Sequence, residues 1–386
     1  MKVARRELLF AAAVGVELPQ LAHARGTRST PATLSSIIAK TVSDGATAGA
    51  ALGVASRSRV LLERGFGFAN LETQTPVLAD TVFRIGSCTK QFTAAAVLLL
   101  AERGKLSLSE PIGRYFPDFP RGQQVTIEQL LNHTSGIHDY VSGGFPADAG
   151  DAWRLDPERH RFFARMTPLF DFEPGTHWLY SNSGYALLGE IIEKASGQPY
   201  GAFLKTALFD LAGMTATALD DPNDIVLRRA SGYALRDGKA GSFRNNRGAG
   251  LPVAEGGIRS TVGDLLRWNR TLYGGKILAP ASLARMTAPA SVNNGLPVGQ
   301  AHFVPNGQAP GSPPAFVQDP DYGLGLEVCK MFGQRVLWHS GGIPGFNALL
   351  LRFVAQEMDV ALLTNSDNGV VPAFEPMLRA VLQAAA

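Results

Sequence analysis

Cysteine is nearly absent: the 386 residues include two, Cys88 and Cys329. Two distant cysteines make no disulfide framework, and both read as small buried side chains. A surplus of one charge is missing as well. The 36 lysines and arginines face 33 aspartates and glutamates, a net +3 with histidine neutral. So small an excess points to no nucleic-acid partner and no membrane surface. Past the N-terminus, no stretch is long and apolar enough to span a bilayer. Neither H-E-x-x-H, nor a glycine-rich phosphate loop, nor a G-x-S-x-G elbow occurs. His133, His138 and Asp139 lie close together but lack a metal-ligand spacing. Neither a metal nor a cofactor is expected.

Residues 1–24 read as a signal peptide. Lys2, Arg5 and Arg6 precede a short apolar run, and Ala22-His23-Ala24 has the form of a cleavage site. The Arg5-Arg6 pair fits a twin-arginine export signal. The expected product starts at Arg25 and is periplasmic or secreted, with no membrane span after cleavage.

The chain is too long for one ordinary core. Apolar runs at 50–55 and 60–66 read as strands, and more follow at 322–328, 336–338, 346–353 and 358–364. Helices are expected at 32–43, 89–103 and 374–384. Between the two sets of strands the pattern is mainly helical. Thr126 and Gln129 have capping-box spacing, and Ser183 is a candidate cap for a helix ended by Gly197. The fold class is therefore α/β, an α+β sandwich with an antiparallel sheet flanked by helices. Residues 25–104 plus 251–386 build it from both termini, and 105–250 form an inserted all-α domain. Residues 291–320, rich in Pro, Gly and Asn, make either a mobile surface loop or one that borders a site.

Ser87-Cys88-Thr89-Lys90 opens the helix at 89–103. Residues three apart share a helix face, so the hydroxyl and the amine can meet. A serine becomes nucleophilic when a nearby base takes its proton. Lysine is such a base once desolvation and the positive helix end lower its pKa. The Ser87 N–H at the helix start is free to hold a developing oxyanion. Cys88 faces elsewhere and lacks this base. Tyr180-Ser181-Asn182 offers a proton relay and an amide. His339-Ser340-Gly341-Gly342 follows a strand, and its glycines let the backbone approach a ligand. S-x-x-K, Y-x-N and H-x-G each occur once. Taken singly, Ser87 reads as a helix cap, Tyr180 as a loop aromatic and His339 as a turn residue.

The flanking residues change that weighing. Phe83-Arg84-Ile85-Gly86-Ser87-Cys88-Thr89-Lys90 resembles the nucleophile segment of the serine β-lactamase and D-alanyl-D-alanine carboxypeptidase superfamily, the penicillin-binding-protein-like hydrolases. Leu130-Leu131-Asn132-His133-Thr134-Ser135-Gly136-Ile137 is similar to the class C-like branch. So are Pro174-Gly175 through Tyr185, 256–261 and His339 through Phe346. The resemblance implies that Ser87 forms an acyl-enzyme while Lys90 and Tyr180 share acid–base work, in an order disputed even among related enzymes. It implies that Asn182 binds the substrate amide and that the Ser87 and Gly342 N–H groups form the oxyanion hole. Gly341 and His339 then shape the substrate strand, and His133 ties a turn. The implied partner is a small ester, peptide or β-lactam. β-Lactamases usually carry lysine where this chain has His339, a departure that looks more like esterases and D-amino-acid peptidases. A neutral imidazole attracts a substrate carboxylate less than an ammonium does. The reading that follows is a carboxylesterase or D-Ala-type peptidase first, a β-lactamase second and a non-turnover penicillin binder third.

Overall fold

The computed structural model describes residues 30–57, 59–144, 156–246, 252–305, 313–367 and 369–385. The stretch read as a signal peptide lies outside them.

Strands Gly49–Ser56 and Met358–Thr364 come from opposite ends of the chain and pair antiparallel, Leu52 against Leu362 and Val54 against Val360. Around them an eight-stranded antiparallel sheet runs Thr75–Pro76, Arg59–Asn70, Gly49–Ser56, Met358–Thr364, Phe346–Phe353, Gln334–Ile343, Glu327–Met331, Val317–Tyr322. Successive side chains point to opposite faces. Leu52, Val54 and Leu362 meet Leu34 and Ile38 of helix Thr30–Ser43 and Met377 of helix Val371–Ala385. Ala51, Ala361 and Leu363 meet the other layer, with Leu266 and Trp268 of helix Val262–Tyr273 and Phe92 of helix Thr89–Glu102. Burying each large apolar side chain there contributes about 1.5–3 kcal/mol. Cover on both faces explains why the two central strands read as unbroken apolar runs.

The described residues between the two sets of strands are not all-helical. Phe83–Arg84, Ile258–Ser260 and Ala218–Leu219 make a small sheet, and Tyr233–Leu235 pairs with Phe243–Asn245. Pieces of two or three residues leave no period in a sequence. The apolar run at 322–328 is two strands rather than one. Gly325, at φ +80°, turns the chain between Tyr322 and Glu327. The described part of 291–320 is not structureless. It carries the turn Val298–Gln300 and the start of strand Val317–Tyr322, and Val298 and Ala301 pack with Trp178 and Tyr180. This segment borders the site.

Candidate active site

Helix Thr89–Glu102 is buried on nearly every face and ends before Gly104, at φ +66°. A tighter turn, Gly86–Cys88, precedes it and carries Ser87. Within Ile85–Gln91, Ser87 alone keeps partial exposure. The Lys90 side chain is wholly buried, and its Nζ lies 3.3 Å from Ser87 Oγ. Nζ also donates to Asn182 Oδ1 (2.8 Å) and to the Glu255 carbonyl (2.7 Å). Burial pushes Lys90 down to about 7, against the opposing pull of Glu255 and Asp139. A neutral amine has two N–H bonds and one lone pair. The amide and carbonyl oxygens accept only, so they take the two N–H bonds and leave the lone pair for the Ser87 hydroxyl.

Asn182 opens helix Asn182–Ser196. Ser181, not Ser183, caps this helix, its Oγ accepting from Gly184 N at 3.3 Å. Ser183 Oγ instead accepts from Tyr140 N. Asp139 sets the Asn182 amide: its carboxylate takes the Asn182 backbone N–H (2.8 Å) and Nδ2 (3.3 Å). A carboxylate cannot donate to an amide oxygen, so Nδ2 faces Asp139 and Oδ1 faces Lys90.

Tyr180 lies beside both groups. Lys90 Nζ is 4.7 Å from its ring centre, and its phenol interacts with the Ser87 hydroxyl. Burial raises the Tyr180 phenol well above its ordinary 10. The capping box at Thr126 and Gln129 forms and starts the helix Ile127–Leu131 that leads into His133. His133 holds the tyrosine segment at two points, its carbonyl taking Leu179 N (3.1 Å) and its Nδ1 taking Ser181 N (3.1 Å). Its proton therefore sits on Nε2, among the rings of Tyr180, Tyr185 and Tyr322. His138 pairs instead with Asp171. The histidines and Asp139 thus serve three separate partners.

The motif His339–Gly342 lies inside strand Gln334–Ile343 rather than after it, because His339 to Ile343 pair with Leu350 to Phe346. On its other side this strand is paired only up to Trp338, so among the described residues an edge opens at His339. The edge runs against the nucleophile turn. A Cβ on Gly341 would stand 1.9 Å from the Ile85 carbonyl oxygen and 3.1 Å from Ser87 N. No side chain fits there. Ser340 and Gly342 are exposed along this edge. His339 is buried. Its Nε2 is 3.1 Å from Tyr322 Oη, and burial pushes it down to about 3, with the Lys90 charge acting the same way. It carries no positive charge at neutral pH. Cys88 points away, its Sγ donating to the His339 carbonyl at 3.2 Å, and burial lifts its thiol to about 12.

A hydroxyl, a buried amine, a phenol, an oriented amide and an open strand edge thus converge on one place. A match to the beta-lactamase family model extends over residues 34–385. The chain belongs to the beta-lactamase family. Penicillin-binding protein 4* of Bacillus subtilis is 31% identical over 80% of this chain and 66% of its own length. Esterase EstB of Burkholderia gladioli is 33% identical over 54% of this chain and 55% of its own. The chain thus spans about two thirds or less of these curated relatives. D-amino acid amidase of Ochrobactrum anthropi, solved with L-phenylalanine amide, superposes with a TM-score of 0.76. It is 26% identical and covers 93% of this chain and all of its own.

Asp139, Glu255 and Tyr322 are site residues that sequence reasoning missed. Asp139 was weighed only as a metal ligand. Its neighbour Tyr140, whose phenol donates to Glu255 Oε1 at 2.9 Å, gave no signal either.

Proposed function

We propose that the protein is an exported esterase and amidase that works through a Ser87 acyl-enzyme and turns β-lactams over poorly. The observation that carries this is the buried Lys90 amine, whose two acceptors leave its lone pair 3.3 Å from the Ser87 hydroxyl. Burial disfavours the charged form of any group. It therefore lets the lysine give up its charge near pH 7, which frees it to act as a base, and keeps the tyrosine protonated, which lets it act as an acid. Environments that push two pKa values apart assign the roles. Lys90 takes the Ser87 proton as Oγ bonds to the substrate carbonyl carbon. Tyr180 gives a proton to the leaving oxygen or nitrogen as its bond to that carbon breaks, and is refilled from Lys90. Water then attacks the acyl carbon, its proton returns through the same pair to Ser87, and the acid departs. The Ser87 and Gly342 N–H groups hold the oxyanion, Asn182 the acyl-side amide, and Gly341 and His339 the floor of the substrate edge.

The substrate class follows from charge. With His339 neutral, no cation stands at the start of the third motif to draw in a carboxylate. Esters and amides without that group fit better, in keeping with the esterase and amidase relatives. A substrate panel tests this. With p-nitrophenyl acetate, D-phenylalanine amide, a D-Ala-D-Ala peptide and a chromogenic cephalosporin, kcat/KM for the ester exceeds that for the cephalosporin by about a hundredfold or more, roughly the 3 kcal/mol of a lost charged contact. Faster cephalosporin hydrolysis overturns the ranking. Stable penicillin labelling with no turnover of any substrate identifies a binder. Export is checked by an N-terminus at Arg25 in protein recovered from the periplasm or medium.

A further inference from the structure

Next to the Tyr180 ring is a cavity of about 200 Å³. The rings of Trp178, Tyr180 and Tyr322 line it, with His302 and two acids, Asp321 and Glu327. Among the described residues no lysine or arginine does. His302 brings no charge, since burial holds it below its ordinary range. Asp321 is fixed in place by the N–H groups of Gly299 (3.2 Å) and Tyr322 (2.9 Å). Glu327 differs. Burial alone pushes it up to about 8, and among the described residues no cation or hydrogen bond offsets this. Among the described residues the Trp178 indole N–H is likewise buried without a partner. Three aromatic faces and two carboxyls, with no basic side chain, make a box whose chemistry suits a cation.

Its place in the reaction rests on the acyl-enzyme reading above. Tyr180 protonates the leaving atom, so the leaving group departs toward the tyrosine. The part of the substrate beyond that atom then enters the cavity that the tyrosine ring lines. We propose that this cavity is the leaving-group subsite and that Glu327 makes it select an alcohol or amine bearing an ammonium group over a neutral or carboxylate-bearing one. An ammonium there favours the ionised form of Glu327, whose carboxyl burial alone holds neutral at pH 7, and the pair then forms together. A carboxylate, as on a departing C-terminal amino acid, meets two acids and no base.

Three acetyl thioesters sharing one acyl group test this: acetylthiocholine, its uncharged isostere 3,3-dimethylbutyl thioacetate, and S-acetyl-3-mercaptopropionate. In each, the bond from Ser87 Oγ to the acetyl carbon forms, the C–S bond breaks, and the thiol leaves with the proton Tyr180 delivers. The expected kcat/KM for the cationic ester is about tenfold above the neutral one, the scale of a desolvated cation–π and ion contact. The carboxylate ester lies about tenfold below the neutral one. Glu327→Gln brings the cationic-to-neutral ratio to within about twofold of one, and a ratio is independent of how much variant folds. If none folds, inhibition of the wild-type protein decides. Tetramethylammonium then competes with p-nitrophenyl acetate at a concentration about tenfold lower than tert-butanol does. Equal rates for the three thioesters, or a preference kept in Glu327→Gln, overturn the subsite alone. Failure to hydrolyse any thioester or acetylate Ser87 overturns the hydrolase reading and the subsite with it.

Discussion

Ser87→Ala lowers ester hydrolysis by about 10⁴-fold or more while leaving the protein folded. Removing a nucleophile whose partners act as a unit costs on that scale, and what survives comes from the oxyanion donors and binding. Stability is spared because Ser87 is the partly exposed member of an otherwise buried segment. Lys90 keeps its bonds to Asn182 and Glu255 in the variant. Initial rates with p-nitrophenyl acetate, beside a melting curve, measure both halves. Activity within tenfold of the parent removes Ser87 from the chemistry. Cys88 cannot rescue the variant, because its thiol is held near 12 and faces the His339 carbonyl.

Lys90 sets the acid limb of the pH profile. In the folded protein its pKa is about 7, lowered from 10.5 by burial. Below that value the amine is an ammonium with no lone pair, and above it the amine is neutral and able to accept the Ser87 proton. The sign is therefore fixed: kcat/KM for a neutral ester rises with pH through a midpoint near 7 and levels above it, since this parameter reports the free enzyme. Lys90→Met removes the base and lowers kcat by about 10³-fold. Lys90→Arg does no better, because a guanidinium stays charged at every working pH. The Lys90→Met variant tests burial as well as role, for it keeps the bulk of the side chain and loses only the titrating group. A profile flat from pH 5 to 9, or one that falls as pH rises, contradicts the lysine assignment.

How far the sequence alone reaches depends on whether a feature is local. Ser87 and Lys90 are one helical turn apart, so their meeting was legible from spacing, and so was the capping box at Thr126. The central strands were legible because both their faces are buried. Features set by tertiary pairing were not. His339–Gly342 reads as a turn, since glycine weakens a strand, yet pairing with Leu350 to Asn347 carries the strand through it. Ser183 and Ser181 are equally good caps on paper. Asp139 decides between them by taking the Asn182 N–H and so starting the helix at Asn182. Glu327, Tyr322 and Trp178 come from segments about 150 residues apart, and their shared cavity has no trace in any local pattern.

The Lys90 environment also accounts for the division of labour that sequence leaves open. In the proposed mechanism one buried pocket frees the amine's lone pair near neutral pH and keeps the phenol's proton in place, because in each case low polarity favours the neutral form. His339 completes this economy of charge. It is neutral and bonded to Tyr322, so the residue at the start of the third motif contributes shape and a hydrogen bond rather than attraction for an anion.

Mass spectrometry of the protein quenched during turnover of a slow ester locates the acyl group. One added acyl mass is expected on the peptide containing Ser87, stable to neutral hydroxylamine as an oxygen ester is and a thioester is not, and still present in Cys88→Ala. Acyl mass on Cys88 or any other side chain, or steady turnover with no covalent species at any quench time, would contradict a Ser87 nucleophile served by Lys90.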